Sequence, residues 1–82
     1  MDKSAAIIVA ERGRQAHDVP SHYAVANAEE RFIELSAAPD GGAGLVRDVR
    51  VWLVRFRAGI AWMELAVDQA NGLIVRVQRS RA

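Results

Sequence analysis

The C-terminal half of the chain is written in strict alternation, and that limits what it can become. From Val49 to Arg57, an extended backbone places Val49, Val51 and Leu53 on one face and Trp52, Val54 and Phe56 on the other. A helix would scatter the same side chains around its axis, whereas a strand sorts them cleanly. The residue types agree, since β-branched and aromatic side chains suit a pleated surface. Ala58-Gly59 is a short connection, and Ile60–Val67 alternates again, with Met63, Leu65 and Val67 opposed to Trp62, Glu64 and Ala66. Asp68-Gln69-Ala70-Asn71-Gly72 combines a turn-initiating carboxylate with an Asn-Gly pair tolerant of positive φ. Leu73–Gln78 then completes a three-stranded meander, with Leu73, Val75 and Val77 expected on one side and Ile74 and Arg76 on the other.

The first forty residues admit more than one reading. Ser4–Gln15 fits a helix capped by Asp2 or Ser4, with Ala6, Val9, Ala10, Gly13 and Ala16 forming a small-residue face. Gly13 argues against it, because glycine in a helix interior costs about 1 kcal/mol relative to alanine. The short run Ala6-Ile7-Ile8-Val9 also fits a buried strand. Val19-Pro20 is a boundary either way, since the residue before proline avoids helical geometry. Residues 23–36 have helix-forming composition, with Val25, Ala28, Phe32 and Leu35 along one face. They can equally be a strand interrupted by a polar bulge at Asn27–Glu30. Pro39-Asp40-Gly41-Gly42-Ala43-Gly44 is loop under either choice.

Composition narrows the class. Eighty-two residues at 51% hydrophobic and 26% charged describe one small folded domain. The uncharged apolar run Ala5–Ala10 falls far short of the ~20 residues of a membrane helix, so no membrane partner is expected. Met1-Asp2-Lys3 and the short run after it lack the pattern of an export signal, so a cytoplasmic location is expected. Cysteine is absent, which excludes disulfides and thiolate chemistry. Fifteen of the apolar residues are alanine, so the core is thin for a chain that buries only ~60–65% of its unfolded surface. Self-association is the common remedy, and a homodimer is expected. Residues 1–45 carry seven acidic and four basic side chains, while residues 46–82 carry seven arginines and three acids.

No constellation carries catalysis. His17, Asp18 and His22 sit close in sequence, yet zinc requires three or four matched ligands, so no metal is expected. Glu29 and Glu30 are adjacent and diverge on a strand, which separates them as an acid–base pair. Gly41–Gly44 precedes a strand, not the helix N-terminus of a phosphate cradle. Ser4, Ser21, Ser36 and Ser80 have no nucleophile context. Neither a catalytic residue nor a cofactor is expected. Trp52, Trp62 and Phe56, interleaved with Arg50, Arg55, Arg57, Arg76, Arg79 and Arg81, suggest a base-stacking sheet. The plainer alternative, that both tryptophans fill a helix–sheet core, is favoured, and nucleic acid is not the expected partner. Arg50, Arg76 and Arg79 are the candidate anion-binding residues.

Leu65-Ala66-Val67-Asp68-Gln69-Ala70-Asn71-Gly72-Leu73-Ile74-Val75 resembles the last hairpin of the PepSY-like group of small bacterial domains. Val51-Trp52-Leu53-Val54-Arg55-Phe56 is similar to that group's tryptophan-led strand, and Asp18–Val25 to its helix-to-strand junction, where a tyrosine opens the first strand. Asn71 stands where threonine is common in the group, and the first hairpin is longer. The resemblance implies an α+β fold of one domain over residues 1–82. An N-terminal helix, near 4–16, packs on four antiparallel strands near 22–35, 45–57, 60–68 and 72–79. The alternative is two helices, or a strand and a helix, before a three-stranded meander. The resemblance also implies a non-enzymatic interaction or regulatory module with an unknown protein partner, some members being similar to inhibitory propeptides of metallopeptidases. The competing function is nucleic-acid or anionic-ligand binding through the arginine-bearing sheet. One helix covers one sheet face, so a homodimer is expected either through the other face, with Val49, Val51, Leu53 and Arg55 as the candidate interface and Glu64 or Asp48 of a partner as counter-charge, or through pairing of edge strands.

Overall fold

The computed structural model describes residues 1–36 and 46–81. One helix, α1 (Lys3–Gly13), precedes four strands: β1 (Ala24–Ser36), β2 (Val46–Ala58), β3 (Ala61–Asp68) and β4 (Ile74–Arg79). The strands form one antiparallel sheet in the order β1-β2-β3-β4, so every strand pairs with its neighbour in sequence. The fold is α+β, and residues 24–36 are strand, which removes the two-helix alternative.

Local chemistry starts α1. The Asp2 side chain accepts a hydrogen bond of 2.8 Å from the Ala5 amide, satisfying one of the donors that a helix N-terminus leaves unpaired. The helix ends at Gly13 rather than running on, which puts Ala16 in the following turn, exposed, rather than on the expected small face. Gly13 is there because of packing. A Cβ at this position would lie 2.5 Å from Cδ1 of Ile74, so an added methyl would require the end of that side chain to move. Gly13 is also the last residue of α1, so the cost of glycine in a helix interior does not fall on it.

Parity along the strands sorts the two sheet faces. Ala6 and Ala10 of α1 are fully buried in one core with Val54, Phe56, Met63, Leu65, Val67, Ala28 and Val19. Ile74 and Val77 pack against the same core, as does Trp52. The opposite face holds a second, smaller cluster of Ile33, Val49, Val51 and Ala66, flanked by Leu35, Leu53 and Val75. The expected split of Val49, Val51 and Leu53 from Trp52, Val54 and Phe56 therefore holds.

Two bulges adjust the register. In β1 the pairing shifts between Val25 and Asn27, at the edge of the polar stretch expected to bulge. In β4 it shifts opposite Ala66 and Val67. That second irregularity corrects the expected grouping of Leu73, Val75 and Val77. Val75 joins the smaller cluster, Val77 joins the helix-side core, and Leu73 precedes the strand with its side chain exposed. An extra residue in one strand breaks the parity that simple alternation assumes.

Candidate functional site

Three surfaces of the sheet have to be weighed: the helix-side face, the opposite face, and the edges. On the opposite face, Arg55 and Glu64 are direct cross-strand partners. Arg55 donates from Nε to Glu64 Oε2 at 2.9 Å, its Nη2 lies 2.8 Å from the same oxygen in an ion pair, and its guanidinium lies 4.4 Å from the Trp62 ring centroid. Both side chains are partly buried, which strengthens the ion pair relative to a fully solvated one. The arrangement corrects two expectations. Trp62 is on the face away from α1, not in the helix–sheet core, because it shares parity with Glu64 and Ala66. Glu64 serves Arg55 of its own chain, not that of a second copy.

The candidate interface on this face is smaller than alternation alone implies. Val49 is 5% exposed and Val51 is fully buried, both closed off within the chain beside Ile33 and Ala66. Leu53 and Arg55 are half-buried. Apolar side chains already removed from water offer little further gain to a second copy packing here.

The helix-side face has a distinct polar end. The Trp52 indole Nε1 donates to the Met1 carbonyl at 3.0 Å, tying the chain start to β2. Arg50 pairs with Glu30 at 3.1 Å, and Gln69 donates to the same carboxylate oxygen at 2.9 Å. Phe32, directly across from Arg50, is 71% exposed, with the guanidinium 5.9 Å from its ring centroid. Trp52 and Trp62 thus lie on opposite faces, and one face of Trp62 is already stacked by Arg55. A sheet on which bases stack in succession does not assemble from them.

Arg50, Arg76 and Arg79 do not converge either. Arg50 lies opposite Phe32 and Arg79 opposite Met63, so both have the parity of the helix-side face. Arg76 lies opposite Ala66, on the other face. Arg50 sits six residues along β2 from Phe56, the residue level with Met63, a span of ~20 Å. Glu29 and Glu30 point to opposite faces, opposite Leu53 and Trp52. Glu29 binds Arg31 at 2.7 Å. His22 meets Tyr23 edge-on at 5.0 Å between ring centroids, and Asp18 takes a left-handed conformation, φ 59°. Among the described residues no three His, Asp or Glu side chains are grouped as a metal would need. The glycine run at 41–44 lies outside the described residues.

The β4 edge remains. Ser80 donates its amide to the Trp62 carbonyl at 2.9 Å, and its Oγ accepts from the Trp62 amide at 3.0 Å. Hydrogen-bonded pairs alternate with non-hydrogen-bonded ones in an antiparallel ladder. The inward groups therefore belong to Ser80, Gln78 and Arg76, and the amides and carbonyls of Val77 and Arg79 point away from the sheet. Arg76 and Arg79 take part in no ion pair among the described residues. Sequence reasoning had Arg76 and Arg79 as anion-binding residues but missed the backbone row beside them. The signal for it was Ser80, whose position two residues past Gln78 continues the inward parity.

Three comparisons with known proteins complete the picture: the chain matches no family model, no curated protein and no solved structure.

Proposed function

We propose that this chain is a non-enzymatic protein-interaction module of the PepSY-like kind. The observation that carries this reading is the β4 edge, where outward backbone groups stand beside arginines that have no acidic partner among the described residues. Several placements support the PepSY-like resemblance. Tyr23 immediately precedes β1, Trp52 lies within β2, Asp68 closes β3, and Gly72 takes φ +72° in the turn before β4. The open sheet and single N-terminal helix fit the same pattern.

A homodimer remains part of the proposal, with pairing along the other edge, β1, as its route, since Val49 and Val51 are closed within the chain. Nucleic-acid binding is the competing reading, and the separation of the two tryptophans on opposite faces weighs against it. Selection from a random decapeptide library, run beside titration with single-stranded oligonucleotides at two salt concentrations, separates the classes. Enriched peptides that perturb amides of the folded chain support the module. Tight oligonucleotide binding with a steep salt slope overturns it, and so does a library that yields no binder.

A further inference from the structure

We infer that the β4 edge receives an extended acidic segment of another protein as a fifth, antiparallel strand. This rests on the interaction-module reading and names the partner's chemistry. Strand addition takes its affinity from main-chain hydrogen bonds and its specificity from alternate side chains. Both parts can be read from β4. Val77 and Arg79 each present an amide and a carbonyl outward, so an incoming strand pairs with both.

The side chains then set a pattern. In antiparallel pairing, one partner residue faces Arg79, the next Gln78, the next Val77 and the next Arg76. Arg79 and Arg76 call for carboxylates and Val77 for an apolar residue, giving acidic-x-apolar-acidic. Of the two carboxylates that flank Ala66 on the Arg76 face, Glu64 is held by Arg55 and Asp68 is buried and bonded to the Ala70 amide, and neither pairs with Arg76. The exposed Arg81, just past β4, extends the positive charge.

The same charge disfavours the other occupants. Two copies joined along β4 would bring together Arg76, Arg79 and Arg81 from each, and like charges in close cross-strand positions are destabilising. The other edge, β1, is bulged at Ala26, and its Glu29 and Glu30 are neutralised by Arg31 and Arg50. A nucleic acid would satisfy the arginines and leave the row of backbone groups unused.

The test uses the full chain, labelled with nitrogen-15, and the blocked peptide Thr-Glu-Thr-Val-Glu-Thr. The expected result is a saturable shift centred on the Val77 and Arg79 amides, weakened about fivefold in the lysine-for-glutamate peptide and weakened by added salt. Val77→Pro removes an outward amide without touching the ladder to β3, and edge strands tolerate proline. It should stay folded and lose the peptide. Arg76→Glu/Arg79→Glu should reverse the preference toward the lysine peptide, which keeps the idea testable if the proline variant misfolds. Equal binding of both peptides, or shifts confined to β1, overturns the assignment to β4 while leaving the interaction module standing. A dimer abolished by Val77→Pro and indifferent to the peptide would give the edge to a second copy, and oligonucleotide binding at these amides would give it to nucleic acid. Either overturns the inference.

Discussion

The Arg14 guanidinium lies 4.9 Å from the centroid of the fully buried Phe56 ring, stacked over a residue forty-two positions later in the chain. Its Nη2 also donates to the carbonyl oxygens of Pro20, at 2.8 Å, and Tyr23. One side chain thus gathers the end of α1, the connection to β1 and the last turn-ward residues of β2. Its side chain is only 18% exposed, so these bonds are shielded from competing water. Arg14→Ala should cost about 2–3 kcal/mol, the sum of lost charge-assisted hydrogen bonds and a cation–π contact. Arg14→Lys keeps the charge but not the fork, and should recover less than half. Urea denaturation followed by tryptophan fluorescence measures both.

Asp68 is the one buried charged residue among those described, 2% exposed at the end of β3. Its carboxylate accepts from the Ala70 amide at 2.8 Å, while its own backbone bonds Leu73 and Gly72 across the turn. Asp68→Ala should cost about 1–2 kcal/mol by orphaning a turn amide. Asp68→Asn, which can still accept that bond, should cost less than half as much. Thermal melts of the two variants under identical buffer decide it.

The close approach of α1 and β4 at Gly13 gives a coupled pair. Gly13→Ala gains helix propensity but presses a methyl group onto Ile74 Cδ1, and Ile74→Val deletes that methyl. The double variant should be more stable than additivity of the singles allows, by about 0.5–1 kcal/mol. A double-mutant cycle with zero coupling would refute the contact.

Burial separates two neighbours on the face away from α1. Val51→Glu places a carboxylate in a fully buried site beside the cluster of Ile33, Val49 and Ala66, and should unfold the domain. Leu53→Glu sits at a half-buried position and should leave a folded chain. Circular dichroism distinguishes them. Sedimentation velocity of Leu53→Glu should match the wild type, since the proposed association uses an edge, not this face.

The meander was legible because its residues carry one signal at every level. Val49–Phe56 alternates, is rich in β-branched and aromatic residues, and is followed at Gly59 by a turn glycine with φ +62°. Residues 24–36 were ambiguous because Ala28, Glu29, Glu30 and Leu35 favour helix locally, and the pairing that overrides them comes from β2. Asp2 capping was readable from type and position. Arg14 was not, since nothing local ties an arginine after a helix to Phe56. The site was half legible: Arg76 and Arg79 stood out as charges, but the directions of Val77 and Arg79 backbone groups follow only from the register set by Ser80 and Trp62.

Strand order that follows chain order has a kinetic meaning. Each hairpin closes between consecutive segments, so the sheet can zip from either short turn, at Gly59 or at Gly72, without a long search. The distant partners belong to α1 and its flanks, through Arg14 on Phe56 and the Met1 carbonyl on Trp52. Loop-closure entropy weighs on the docking of α1 and on the β1–β2 pairing, which reaches from Ala24 to Arg57, so both should form after the two short hairpins. Until α1 docks, the apolar side chains around Phe56 lie open to water, and it is in that interval that a newly made chain is most exposed to aggregation.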